Sequence, residues 1–110
     1  MSESDEQRAV CEYLDLLNLA YFHVPNEGLR SVSEGARLKS IGLKPGVPDL
    51  CIPVARGPYH SLYIEMKAPG GKPTKEQTEW IWRLREEGMC AYVCIGAESA
   101  IALIDRYMNL

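Results

Sequence analysis

The sequence predicts an α/β fold: a mixed central sheet flanked by helices, in the order helix, strand, strand, strand, helix, strand, helix. Three observations predict it. Apolar residues recur at helical spacing near both ends of the chain, two short apolar runs joined by a turn-like stretch lie in the middle, and an unbroken apolar run separates two helical segments. With 110 residues, 46% hydrophobic and 25% charged, the chain has material for one core, so 1–110 is read as a single domain.

Val10, Tyr13, Leu14 and Leu17 share a helical face, and Ser2 or Ser4 stands where a cap belongs, which predicts a first helix over residues 3–18. Tyr21 to Val24 reads as a short strand. Pro25, Asn26 and Gly28 then break regularity, and a polar stretch containing Ser and Gly runs to Pro48, read as one long connection of the kind that carries function. Asp49 leads into LCIPV, and after RGPYH comes SLYIEMK; so short a turn between two strand candidates predicts an antiparallel hairpin. PGGKP is loop. Thr74 and Gln77, three residues apart, have the form of a capping box that opens a helix through about Glu87, and Gly88 stops it. Trp80, Ile81 and Leu84 make the buried stripe of that helix and leave Trp82 outside it, on a surface suited to a dimer interface. CAYVCI is apolar without alternation and reads as a buried central strand. Ile101, Leu103, Ile104, Tyr107 and Met108 give a last amphipathic helix from Glu98 to Met108.

Composition narrows the function classes. No apolar run approaches the roughly 20 residues that span a bilayer, and MSESDEQR is acidic where a secretory signal is basic and then apolar, so the expected location is inside the cell. The four cysteines, Cys11, Cys51, Cys90 and Cys94, stand in apolar patterns without metal-ligand spacing and are read as reduced core residues. A net charge of −3 argues against a protein that coats nucleic acid nonspecifically. Charge is unevenly placed, however: Arg30, Arg37, Lys39 and Lys44 face only Glu34 between residues 29 and 46, whereas the first twelve residues hold Glu3, Asp5, Glu6 and Glu12. A basic segment beside an acidic cluster suits a metal site that meets a polyanion; an ordinary solvated loop has the same composition.

The chemistry centres on Asp49 and, further along, Glu65-Met66-Lys67. Side chains alternate along a strand, so Glu65 and Lys67 share one face while Met66 points to the opposite layer. If Asp49 begins the neighbouring strand of the hairpin, its carboxylate falls near Glu65. Two carboxylates and the Met66 main-chain carbonyl then form a hard oxygen site for Mg2+ or Mn2+. Such a site lowers the pKa of a bound water, and Lys67 supplies the cation that orients it and offsets charge on the phosphorane. An Asp and an E-x-K also occur as exposed strand residues with no such role. Gly70, Gly71 and Lys72 lack the full phosphate-loop pattern, so nucleotide binding is excluded.

GVPDL at 46–50, IEMKAPGGKPTKEQ at 64–77 and E-x-x-E-Q at 3–7 resemble the VRR-NUC (virus-type replication-repair nuclease) family. HVPNEGLRS at 23–31 and ARLKSIGLKPG at 36–46 resemble its compact phage-encoded members, so the likeness covers nearly the whole chain. The resemblance implies a PD-(D/E)XK restriction-endonuclease-like fold and Mg2+- or Mn2+-dependent hydrolysis of DNA phosphodiesters. It also implies a likeness to Holliday-junction resolvases, which act as homodimers. Residue by residue, it implies metal-binding acids at Asp49 and Glu65, the lysine at Lys67, a helical glutamate at Glu3 with Glu6 as the alternative on the same face, and the post-loop glutamine at Gln77, which the capping box explains equally well. Asn26, His23, Arg30, Arg37, Lys39, Lys44 and Lys72 fall on loops that would face DNA phosphates, although packing explains His23 as well. Two other readings stand beside a junction-cutting dimer. One keeps the enzyme and moves its substrate to flaps or ends. The other, a non-catalytic binding module, predicts the loss of one of Asp49, Glu65 and Lys67, and all three are present.

Overall fold

The computed structural model describes residues 1–25 and 30–110. Helix α1 (Glu3–Leu16) starts at Ser2, whose hydroxyl accepts from the Asp5 amide while the Asp5 carboxylate accepts in return from the Ser2 main chain. Val10 and Leu14 form its fully buried stripe; Leu17 lies past the last turn and is exposed. Strand β1 (Phe22–His23) pairs antiparallel with β2 (Leu50–Ile52), and β2 pairs antiparallel with β3 (Leu62–Lys67), so the predicted hairpin is present. Helix α3 (Lys75–Glu86) opens with the Thr74–Gln77 capping box. It leads to β4 (Cys90–Ile95), which runs parallel to β3, and helix α4 (Ala97–Met108) closes the chain.

Strand alternation divides the sheet into two faces. Leu50 and Ile52, Leu62, Ile64 and Met66, and Cys90 and Cys94 join Val10, Leu14, Ile104 and Tyr107 in the main core, under α1 and α4. The Tyr107 hydroxyl donates to the Val54 carbonyl at 2.7 Å, which settles its one polar atom. Glu65 and Lys67 belong to the alternate set, shared with Ala91 of β4, the strand on which α3 packs. The four cysteines are free thiols, and Cys51, Cys90 and Cys94 are buried.

Two expectations are corrected. The stretch read as one long connection contains a further helix, α2 (Val32–Ser40), so the element order gains a helix between the first two strands. No side chain of α2 is buried; Val32 is 92% exposed and Ile41, just past its end, 70%. A helix with no core face leaves no apolar period to read. Local terms hold it instead: the Ser31 hydroxyl accepts from the Glu34 amide, Glu34 receives the Arg37 guanidinium at 2.7 and 3.1 Å, and Arg37 and Lys39 occupy the last turn. The second correction concerns CAYVCI. The sheet order is β1-β2-β3-β4, so β4 is an edge strand and not a central one, and Tyr92 and Ile95 are 44% and 52% exposed. Helices on both faces of β4 demand apolar residues there, and an apolar run cannot distinguish a strand covered on its faces from one flanked by strands on both sides.

Between α2 and β2 the chain crosses the start of α3. Gly46, at φ +90°, lies so close that a Cβ would stand 2.5 Å from the Glu76 carbonyl carbon. That contact fixes the approach to Pro48 and Asp49.

Candidate metal centre

Asp49 sits immediately before β2, where the hairpin register brings it opposite Glu65. Its two ends are held separately. The main-chain carbonyl accepts from the Val24 amide at 2.7 Å, and carboxylate Oδ2 accepts from the Met66 amide at 2.8 Å. The second bond is buried and leaves Oδ1 to face other ligands.

The same alternation explains the Pro-Asp pair. Asp49 turns its carbonyl toward β1, and Lys67 turns its own toward β4, where the Gly96 amide donates to it at 2.8 Å. Met66, one residue earlier, therefore directs its main-chain groups toward β2. Continuing the Leu50↔Ile64 register brings the buried Pro48 opposite Met66, and proline has no N–H to donate to that carbonyl. The Met66 amide, which would bond Pro48 in an ordinary ladder, is taken by Asp49 Oδ2.

Glu65 is 1% exposed with both carboxylate oxygens buried, and Lys67 Nζ lies 3.6 Å from its Oε2. Glu3, in the first turn of α1, reaches the same place: its Oε2 is 3.9 Å from Lys67 Nζ. One oxygen from each of Glu3, Asp49 and Glu65 falls within 4.8 Å of the others. At that separation and an effective dielectric of about 20, each pair of charges repels by about 3 kcal/mol or more. Three carboxylates against one ammonium leave a net charge of −2. An all-oxygen donor set of that charge, two members of it buried, fits a divalent hard cation such as Mg2+ or Mn2+.

Of Glu3 and Glu6, Glu3 is the one whose carboxylate joins Asp49 and Glu65. Glu6 is buried elsewhere, with Oε2 accepting from the Ala97 amide at 2.5 Å. It caps α4, whose N-cap residue Gly96 offers no side chain. Both glutamates lie on the core-facing side of α1, but one turn separates their targets: Glu3 meets the strand ends and Glu6 meets the following helix.

The remaining site candidates are dispersed. Gln77 is buried, and its Oε1 accepts from the Thr74 amide at 2.8 Å, so the capping role is real. Arg30 donates to the Pro25 carbonyl at 2.7 Å, Arg37 pairs with Glu34, and Lys39 is exposed on α2. Lys44 lies over α3 beside Glu76, Trp80 and Arg83, and Lys72 is exposed in the loop after β3. None of these five basic residues lines the cleft beside the carboxylates. Asn26 falls outside the described residues. His23 is exposed and not packed in the core, and it stands at the cleft together with Gln7, Ser4 and Arg8. Gln7, which sequence reasoning did not single out as a site residue, was identifiable as a cleft residue by its position one turn after Glu3.

The VRR-NUC domain model matches residues 3–98 of this chain. The chain belongs to the VRR-NUC family. Among solved structures, one described as a VRR_NUC domain protein superposes with a TM-score of 0.85 at 32% identity, covering 99% of this chain and 89% of the other. No curated protein matches. The fold is thus the PD-(D/E)XK nuclease core, here with four helices about a four-stranded mixed sheet. Membership in this family points to a nuclease, a class that generally uses divalent metals, with DNA as substrate. No described helix is long and apolar enough to cross a membrane.

Proposed function

We propose that this VRR-NUC chain, as a single domain over residues 1–110, is a Mg2+- or Mn2+-dependent endonuclease that cuts branched DNA as a homodimer, in the manner of a Holliday-junction resolvase. The observation that carries the reading is the meeting of Glu3, Asp49 and Glu65 within 4.8 Å, with Lys67 against two of them. Asp49, Glu65, Glu3 and the Met66 carbonyl would hold the cation, and Glu6 is left to α4. When bound, the ion acidifies a water and draws charge from the phosphoryl oxygens.

The chain's own residues do the rest. Lys67, nearly buried, orients the attacking water between itself and Glu65 and offsets charge that builds on the phosphorane. Gln77 takes part at the site while its Oε1 keeps its helix capped. Arg30, Arg37, Lys39, Lys44, Lys72 and Asn26 contact the phosphate backbone away from the scissile bond, with α2 standing clear of the core to do so. Trp82, exposed on α3, belongs to the interface between copies, and the two-fold places two sites on paired strands. No nucleotide cofactor is involved.

The test is cleavage of a labelled four-way junction beside matched flap and linear duplexes, with Mg2+, Mn2+ or EDTA, comparing wild type with Lys67→Ala. Paired, metal-dependent nicks in the junction that Lys67→Ala abolishes are the expected result. Cutting of flaps or duplex alone would replace the resolvase with an end-processing nuclease, and no cutting by folded, metal-supplied protein would replace it with a binding module.

A further inference from the structure

Glu3 and Asp49 come from segments far apart in the chain, and their charges push those segments apart. Something must hold α1 and the start of β2 at the distance a cation needs. His23 of β1 stands between them. Its Nδ1 is 3.0 Å from the Asp49 carbonyl oxygen and 3.0 Å from the terminal amide of Gln7. Gln7 lies one helical turn after Glu3, on the same side of α1, and all four residues line one cleft.

The chemistry of Nδ1 decides how the three groups are arranged. A carbonyl oxygen only accepts, so the contact with Asp49 requires a proton on Nδ1. That proton then faces Gln7, whose Oε1 and Nε2 exchange places by a half-turn of the amide; Oε1 toward the ring makes both contacts attractive. The opposite assignment, Gln7 donating to a bare Nδ1, would set that lone pair against the Asp49 carbonyl at 3.0 Å. Only the first arrangement satisfies all three groups.

We propose that Gln7 and His23 form a positioning brace, in which Nδ1–H of His23 donates jointly to Gln7 Oε1 and the Asp49 carbonyl. The brace ties the Glu3-bearing turn of α1 to the main chain of Asp49. It rests on the metal-site reading above and adds to it two residues that touch neither the cation nor the reacting atoms. Asp49 is thereby fixed at three points: carbonyl to Val24, carbonyl to His23, and Oδ2 to Met66.

Mn2+ affinity, measured by the loss of free-ion electron paramagnetic resonance at pH 8, tests the brace. Because His23 is exposed on β1, its variants should fold, and circular dichroism checks that. The amide of an Asn places its nitrogen where His has Nδ1, and that of a Gln where His has Nε2. His23→Asn should bind within about twofold of wild type, whereas His23→Gln, His23→Phe and Gln7→Leu should bind about tenfold more weakly, the scale of supporting-residue effects on metal sites. Cleavage by the weak binders should recover when Mn2+ is raised, with KM for DNA unchanged. His23→Gln matching wild type while His23→Asn fails would mean that the ring acts through Nε2, and equal binding by all variants would remove any positioning role; either result overturns the proposal. The chain has two histidines, so a long-range 15N–1H spectrum reads the His23 tautomer directly. An Nε2–H form at pH 8 would refute the brace even in a protein that binds Mn2+, whereas absence of Mn2+ binding by wild type would overturn the metal reading beneath it.

Discussion

Replacing Glu6 separates the two glutamates of α1 by what each one holds. Glu6 Oε2 accepts the Ala97 amide at 2.5 Å in a buried setting, at the start of a helix that has glycine as its N-cap and no local side-chain cap. A hydrogen bond to a charged group contributes about 1.5–3 kcal/mol, and a carboxylate at a helix N-terminus adds about 0.3–1. Glu6→Ala therefore should cost about 2–4 kcal/mol. Glu6→Gln keeps an acceptor and the side-chain shape while removing the charge, so about 1–2 kcal/mol is expected. In a domain of this size 1 kcal/mol moves Tm by about 4 °C, which gives falls of about 8–16 °C and about 4–8 °C, read by circular dichroism. Folded Glu6→Gln should bind Mn2+ within about threefold of wild type. Glu3→Gln should do the reverse, with weakened Mn2+ binding and a Tm close to wild type in EDTA. A Glu6→Gln protein with unchanged Tm and impaired metal binding would show that the assignment of the two glutamates is backwards.

Other perturbations test the same structure from different sides. The gain in stability that wild type shows with Mn2+, about 2.7 kcal/mol at a hundredfold excess over Kd and read as a rise in Tm, should disappear in Glu65→Gln; that gain left intact would refute the place of Glu65 in the metal cluster. Gly46→Ala places a methyl group 2.5 Å from the Glu76 carbonyl carbon at φ +90°, and unfolding in urea should show a loss of more than about 2 kcal/mol, since strain and clash combine. Burial raises all four thiols and pushes Cys94 up to about 11, so native protein should react slowly with a disulfide reagent at pH 8 and release four equivalents only when unfolded; fast native reaction at Cys94 would contradict its placement. Tyr21 donates to Asp15 at 2.8 Å, which pushes its hydroxyl up to about 12. Its protonated form is favoured by folding, so this contribution is complete below pH of about 10, where the unfolded phenol titrates, and fades as pH rises through 12; Tyr21→Phe should flatten the decline of Tm over that range.

What the sequence made legible follows the range of the interactions involved. Asp49, Glu65 and Lys67 sit on one hairpin, where a period of two and a short turn suffice to place them, and the structure brings them together as that pattern implies. The capping box at Thr74 is equally local. Glu3 was preferred to Glu6 only through the family likeness, because both fit the same helical face and only the tertiary position of Ala97 separates them. Helix α2 escaped detection because none of its side chains is fully buried, and β4 was placed at the centre because burial by α3 and α4 leaves the same apolar run as burial between strands. His23 was legible only as a DNA-facing or packed residue, not by its contacts with Gln7 and Asp49: two residues of strand and one ring nitrogen carry them, and neither partner is near it in sequence.

Those long-range contacts explain how a chain this small keeps three carboxylates together. The hairpin alone would hold Asp49 and Glu65, and repulsion would favour any motion that carried Glu3 away. Opposing that motion, Glu6 ties α1, one turn after Glu3, to the start of α4. Gly96 links the two ends of this arrangement. Its amide donates to the Lys67 carbonyl at 2.8 Å, and the amide of its neighbour Ala97 donates to Glu6, so the strand that carries Glu65 and Lys67 and the helix that carries Glu3 meet at one glycine with φ of +84°. A side chain there would meet open space next to Glu6 Oε2 at 3.8 Å, so the backbone angle, and not crowding, is what demands glycine. The geometry of the acidic cluster is therefore set as much by the β4–α4 turn, which contributes no ligand, as by the strands that contribute two.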